Sequence, residues 1–455
     1  MASARRPDAD VIVVGAGSVG LLLSLLLARR GKRVLLLESR TERSPHSRAI
    51  GLSSPSIEIL DGLGLAEPFI AEGIPVRRAR VSDGRRELGL LDFSAVKRRF
   101  PFVLALPQSR TEALLEEATM REPLISLRKG ETAEALEPEP GALAVLGRSE
   151  LGAFRLKASF VVAADGTRGE LGRDPRLRRR LRPHRARFVM GDFPDDGVYG
   201  AEARLFFTPR GSVESFPLPT GLRRWVLSAP PGTEEGAPSG RPDLSWLVEE
   251  TRLRASIVLA EERCLWASAF TTECSLAPSY GENRFFLAGD AAHTMSPIVG
   301  QNMNTGFADA EWLAEALSSA DPEASAEGLA RAYGRARLRA ARAAAGRAWA
   351  AMNLGAARGG GFSALRGHLI RMVLGVPALS LAVARIFTMD SIPGATLADL
   401  PPRLHPAFGL ATAPEKSGAP ADRHTASVSP LRPLPEVPAL RDPSKITHMP
   451  PKEFE

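Results

Sequence analysis

The stretch Asp10-Val-Ile-Val-Val-Gly15-Ala-Gly17-Ser-Val-Gly20, continued by an apolar run and by Lys32-Arg-Val-Leu-Leu-Leu-Glu38, decides the fold. Val11 to Val14 read as a strand buried on both faces, as parallel strands are. Gly15, Gly17 and Gly20 follow at G-x-G-x-x-G spacing; Leu21 to Arg30 read as the helix they open, and Val34 to Leu37 as a second strand. Gly15 allows a tight turn, and Gly17 lets the backbone approach a pyrophosphate. Gly20 lets helix pack on strand, and the helix N-terminus faces the negative charge. Glu38, 18 residues beyond Gly20, can accept hydrogen bonds from a ribose diol. Glycine turns alone are common, but strand, helix, second strand and terminal acid in order read as a dinucleotide site. They do not separate NAD from FAD.

Two later stretches do. Phe160-Val-Val-Ala-Ala-Asp165-Gly166 is a strand ending in Asp-Gly. Arg284-Phe-Phe-Leu-Ala-Gly289-Asp290-Ala-Ala-His-Thr-Met-Ser-Pro297-Ile-Val-Gly300-Gln-Asn-Met-Asn304 is another, ending in Gly-Asp with a loop and helix behind it. Over roughly residues 8–350 the chain resembles the single-component flavoprotein monooxygenases of the para-hydroxybenzoate hydroxylase fold, with their three motifs in the same order. The resemblance implies an α/β fold: a Rossmann-like FAD-binding domain interleaved with an antiparallel-sheet substrate domain, plus a helical C-terminal region. On that pattern residues 1–75, 102–175 and 281–330 form the FAD-binding domain, and 76–101 with 176–280 the substrate sheet. Residues 331–400 form the helical region, and 401–455 a disordered tail.

The same resemblance implies FAD as cofactor, NADH or NADPH as electron donor, and O2 as oxidant. One oxygen atom would pass through a flavin C4a-hydroperoxide to a hydrophobic aromatic, quinolone, polyketide or quinone-type molecule, by hydroxylation or epoxidation. Secondary-metabolite biosynthesis is the expected setting. No second G-x-G-x-x-G follows a strand, so the nicotinamide has no Rossmann domain of its own and visits transiently. A flavin halogenase would need a Trp-x-Trp-x-Ile-Pro stretch, which is absent. An FAD-dependent reductase of isoprenoid-type double bonds stays open as the alternative.

Length and composition agree with a globular enzyme: 455 residues, 44% hydrophobic and 24% charged, can bury a large core. Two cysteines, Cys264 and Cys274, make neither a disulfide framework nor a metal-ligand pattern, so a reducing cytoplasm and no metal are expected. Met1 to Asp8 lacks the apolar core of a secretory signal. The net charge of +7 favours anionic ligands, and both nucleotides qualify. No basic helix with interleaved aromatics occurs, which argues against nucleic acid.

The resemblance also implies site residues. Asp290, at a strand end, would meet the ribityl hydroxyls, and Pro297 to Gly300 would run beneath the flavin ring. Gln301 to Ala316 then reads as a helix whose positive end faces the flavin. Asn302 stands where glycine is usual; Asn is the next-best residue for positive φ, so the turn is expected to survive. Arg48, in a polar loop, suits pyrophosphate oxygens. Gln108 and Arg110 begin a helix that similar proteins turn toward FAD, and Asp165 opens the Asp-Gly loop near both FAD and the donor's path. His293 reads as packing beneath its loop rather than as a base, so no catalytic residue is assigned. Tyr333 and Arg337 match the family's Tyr-x-x-x-Arg.

Elsewhere, Val76 to Asp92 reads as a hairpin about Asp83-Gly84. Leu124 to Leu127, Ala142 to Leu146 and Gly152 to Lys157 read as an antiparallel meander. Eight arginines between Gly172 and Phe188 read by default as a solvated face, with attraction of NADPH phosphates as the sharper use. Phe362 to Phe387 gives two apolar helical segments broken at Pro377, too short to span a bilayer. They could roof the active site or make peripheral contact with a membrane.

Overall fold

The computed structural model describes residues 7–43, 49–173, 177, 180–230, 243–296, 300–319, 326–356 and 360–392. Arg48, the 297–299 loop, part of the arginine cluster and the 401–455 tail lie outside them.

The opening stretch folds as its residues require. Ala9–Val14 is a strand, Ser18–Arg29 a helix and Val34–Glu38 the neighbouring strand, paired in parallel from Val11↔Val34 to Val14↔Leu37. On its other side Ala9–Val14 pairs in parallel with Gly152–Ala163, which pairs in turn with Phe285–Leu287. The Asp-Gly and Gly-Asp corners thus emerge at the same sheet edge as the glycine turn. The helix starts at Ser18, so Gly20 sits in its first turn.

Gly152–Ala163 is long because it serves two partners. Its first half pairs antiparallel with Ala142–Ser149, and its second half runs parallel to Ala9–Val14. The meander differs from expectation. Its third strand is Thr132–Glu139, whereas Ile125–Lys129 pairs in parallel with Val34–Glu38 and closes the far edge of the sheet. A short apolar run cannot by itself report the direction of its partner.

A second eight-stranded sheet runs His293–Thr294, Trp266–Leu276, Arg180–Pro194, Leu222–Ala229, Gly211–Leu218, Ala203–Thr208, Arg78–Ser82 and Glu87–Asp92. It is antiparallel except where Ala203–Thr208 meets the hairpin strand Arg78–Ser82. At the hairpin tip Gly84 takes φ +91°, and the Asp83 carboxylate accepts from the backbone N–H of Arg85 and Arg86. The arginine-rich stretch enters this sheet earlier than expected, already pairing at Arg180↔Leu276. One face of the sheet packs Val213, Trp225 and Leu227 against Leu247 of the helix Leu244–Ala255.

The opposite face is covered by Gly360–Gly375 and Pro377–Phe387, two helices bent by 102° at their break. Ile370, Leu374, Val383 and Phe387 pack on Val81 and Leu91 of the hairpin and on Phe93 just beyond it. The segment therefore roofs the sheet. No single described helix is long and apolar enough to cross a membrane. Arg366, 2% exposed, anchors the roof by donating to the carbonyls of Phe207 and Thr208, each at 2.8 Å, and of Leu354 at 2.8 Å. Arg366→Met keeps the apolar stem but strands those carbonyls. A loss of about 2–4 kcal/mol is expected, read as a lower urea midpoint at unchanged m.

Candidate functional site

The glycine turn is built by backbone crowding. Gly15 takes φ +102°, and a Cβ there would lie 2.4 Å from the Ala164 carbonyl oxygen. A Cβ on Gly20 would lie 1.8 Å from the Gly15 oxygen, so neither position accepts a side chain. Gly17 differs: at φ −76° and ψ −179°, its Cβ would meet nothing nearer than the Glu112 carboxylate at 4.0 Å. That open space beside a helix N-terminus is the cradle a pyrophosphate needs.

Glu38 closes the turn. Its Oε2 accepts from Ala16 N at 2.8 Å, and its Oε1 from the backbone N (3.0 Å) and Nε (2.9 Å) of Arg40. Burial alone would raise its carboxyl; hydrogen bonds from Arg40 and Ala16 hold it below the usual range. Oε1 also accepts a long bond from Ser39 Oγ at 3.5 Å, whereas among the described residues Oε2 accepts only from Ala16, so one acceptor site on Oε2 remains for a ribose hydroxyl. Asp165 accepts from the N–H groups of Leu171 (3.2 Å) and Gly172 (3.5 Å), which sets the Asp-Gly loop.

At the third corner Asp290 accepts from Asn302 Nδ2 at 2.7 Å. Asn302 does not occupy the left-handed region; among the described residues of that turn Gly300 does, at φ +62°. Asn302 lies in the first turn of Gln301–Ser319, where its amide spans from Asp290 to His293, whose Nδ1 lies 3.3 Å from Asn302 Oδ1. The departure from glycine is thus a hydrogen-bonding substitution, not a turn-preserving one. Asn304 joins the corner to the neighbouring helix: its Oδ1 accepts from Ser53 N (2.9 Å) and Ser56 Oγ (2.6 Å). Its Nδ2 donates to the carbonyls of Gly51 (3.0 Å) and Gly300 (2.6 Å).

Behind the corner lies a buried charge network that sequence reasoning missed. Asp309 is fully buried and accepts from Gly289 N at 3.1 Å and Arg337 Nε at 2.7 Å, with His293 Nε2 at 2.8 Å. Burial pushes the Asp309 carboxyl up, but Arg337 and His293 outweigh it and leave the acid below its ordinary value. The available signal was an acid inside the apolar run Phe307-Ala-Asp309-Ala, which must have a buried partner. Arg337, read only as a motif match, is that partner. Tyr333 sits beside it and donates to the Leu287 carbonyl at 2.9 Å.

These corners open onto one cavity of about 2010 Å³. Gly15, Gly17, Glu38, Gln108, Asp165, Asp290, Gly300 and Asn302 all line it. Gln108 turns its amide to Glu112 Oε1 at 2.9 Å. Arg110 is a correction: it does not line the cavity, and its exposed guanidinium pairs with Glu72 by two bonds of 2.9 Å. Two positions along a helix, a side chain points to the opposite face and off the ligand. Beyond the corners the same cavity becomes largely apolar, walled by Phe188, Met190, Leu205, Phe216 and Val226 of the second sheet, with Glu214 and Arg224 among them, and by Leu369, Val373 and Phe387 of the roof. A single small-molecule site takes about 300–1,000 Å³, so the space exceeds one ligand's need.

Fold and site together define a dinucleotide-binding protein with a second, apolar chamber. A family model described as an FAD-binding domain matches residues 8–348, and the chain belongs to that family. The anhydrotetracycline monooxygenase of Streptomyces rimosus is 32% identical over 322 residues, covering 66% of this chain and 61% of that protein. The rifampicin monooxygenase of Streptomyces venezuelae is 32% identical over 306 residues, covering 66% and 62%. The chain thus spans about three-fifths of the length of these curated relatives. Among solved structures, the p-nitrophenol 4-monooxygenase of Pseudomonas putida superposes with a TM-score of 0.74 over 83% of this chain and 98% of that one. At 22% identity this is a likeness of fold. The anhydrotetracycline hydroxylase of Streptomyces rimosus gives 0.68 at 26% identity, over 84% and 76%.

Two substitutions separate cradle from scaffold. Gly17→Ala should fold with near-normal stability yet bind FAD about tenfold or more weakly, because its methyl enters the pyrophosphate space. Gly20→Ala should instead lose soluble, folded protein. Flavin titration and thermal melts read the two.

Asp309→Asn should cost about 3–5 kcal/mol, since it leaves Arg337 buried and uncompensated. The acid's folded value is depressed, so its contribution is complete above the unfolded value near about 3.9 and is lost as pH falls through the folded one. Stability should accordingly fall less steeply in the variant than in the wild type between about pH 4 and pH 2.

Proposed function

We propose that the protein is an FAD-dependent, NAD(P)H-consuming monooxygenase that inserts one oxygen atom of O2 into a hydrophobic aromatic, quinolone, polyketide or quinone-type molecule, by hydroxylation or epoxidation. The observation that carries this reading is the continuity of one cavity from the three glycine-and-acid corners into an apolar chamber. The relatives named above, with printed activities on anhydrotetracycline and rifampicin, support it.

In this reading Gly15, Gly17 and Gly20 shape the pyrophosphate cradle and Glu38 takes the adenosine ribose. Asp290, oriented by Asn302, takes the ribityl chain, while Gly300 and Asn302 present the first turn of their helix to the flavin ring. Asp165 and Gln108 line the approach. Residues 1–75, 102–175 and 281–330 act as the FAD-binding domain, 76–101 and 176–280 as the substrate sheet, and 331–400 as its cover. When bound, FAD supplies the redox chemistry, taking electrons from the nicotinamide and activating dioxygen for transfer of one atom. The helix N-terminus beside Gly300 favours negative charge at the ring edge. The apolar walls and roof exclude water and hold the substrate against the cofactor end. His293 is fully buried behind the corner and moves no proton in this scheme.

Purified protein loaded with FAD, given NADH or NADPH, 18O2 and a panel of hydrophobic phenols, quinolones and quinones, should yield a product carrying one heavy oxygen by mass spectrometry. A product gaining two hydrogens and no label would replace this reading with double-bond reduction. Failure to take up FAD at all would end it.

A further inference from the structure

Glu214 carries a carboxyl into the chamber among apolar neighbours, and its chemistry does not suit those surroundings. It lies in the middle of Gly211–Leu218, with Leu205 opposite it on one neighbouring strand and Val226 on the other. Strand alternation sends Val213 and Ser215 to the far face and Glu214 and Phe216 into the cavity. The residue is nine-tenths buried, at 9% exposure, and no described residue hydrogen-bonds or ion-pairs with its carboxyl. Arg224 of the adjacent strand, which lines the same cavity, is already committed. Its Nε and Nη2 donate to Asp192 at 2.6 and 2.7 Å, and its guanidinium lies 4.5 Å from the Trp266 ring centroid.

An acid held this way costs free energy on its own, because burial disfavours its charged form without a compensating donor. Burial pushes the Glu214 carboxyl up to about 7. Leucine or valine would suit a purely hydrocarbon ligand better at this position. The arrangement becomes favourable when the ligand itself brings a hydrogen-bond donor to the sheet face.

We propose that Glu214 is a substrate-recognition residue whose carboxyl receives a hydroxyl borne by the aromatic ligand, so that the chamber selects phenolic or enolic ring systems over their unsubstituted parents. This rests on the reading above that the chamber takes an aromatic molecule, and it narrows the substrate class. The hydroxyl would dock at Glu214 while the ring lies along Met190, Leu205, Phe216 and Val226, which pins orientation as well as identity. A site built to pair a hydroxyl discriminates strongly against a ligand lacking it, because the buried acceptor is then left unmet.

The test is direct binding to the FAD-loaded protein, without turnover. The probes are two matched pairs: 2-naphthol against naphthalene, and 2-hydroxyanthraquinone against anthraquinone. Wild-type protein should bind the hydroxylated member of at least one pair about tenfold or more tightly than its parent. Glu214→Leu should abolish that preference while holding or improving affinity for the parent. Glu214→Gln, which keeps an acceptor oxygen, should retain part of it and serves as the folding control. No preference in either wild-type pair, or a preference that survives in Glu214→Leu, overturns the proposal. Because the readout is binding, this outcome is independent of whether oxygen is transferred, and a failed labelling experiment would count against the function alone.

Discussion

The carboxylate of Asp309 holds together parts of the chain that are far apart in sequence. From the helix Gln301–Ser319 it binds the Gly289 amide at the Gly-Asp corner, His293 beyond it, and Arg337 on the long helix Ala326–Ala356. A buried carboxylate is tolerable only with donors on several sides, so its presence dictates where those three groups must be. The arrangement then passes outward: His293 meets the Asn302 amide, and Asn302 donates to Asp290 on the cavity wall. The acid that faces the cofactor end is positioned by one that never touches it.

Close backbone approach complements this network. A Cβ on Gly306 would lie 2.6 Å from the Val19 side chain, and one on Gly289 2.9 Å from it. The glycine-turn helix and the helix of the Gly-Asp corner therefore press together through glycine. The cofactor end of the cavity is consequently close-packed and polar. The chamber end is defined by side chains on a sheet and by a roof anchored through one buried arginine. Such a division suits a family that keeps one cofactor and varies its substrates, because wall and roof can change without disturbing the corners.

The roof has a second aspect. Ile370, Val373, Val383 and Phe387 of the roof line the cavity, while its Phe362, Leu365, Met372 and Leu379 stand exposed.

The three corners were legible in the sequence because each is local chemistry: a strand, a sharp turn that only glycine permits, and an acid at the strand end. The hairpin at Asp83-Gly84 and the break at Pro377 were legible for the same reason. Other features depended on neighbours distant in the chain. Ile125–Lys129 took a parallel partner that no local pattern announces, Arg110 turned to Glu72, and Asn302 entered a helix instead of a left-handed turn. Asp309 and Glu214 are not told apart by sequence, each an acid with an apolar residue directly before it. Tertiary packing alone gave the first three donors and left the second facing an open chamber, because burial and partners are properties of surroundings and not of spacing.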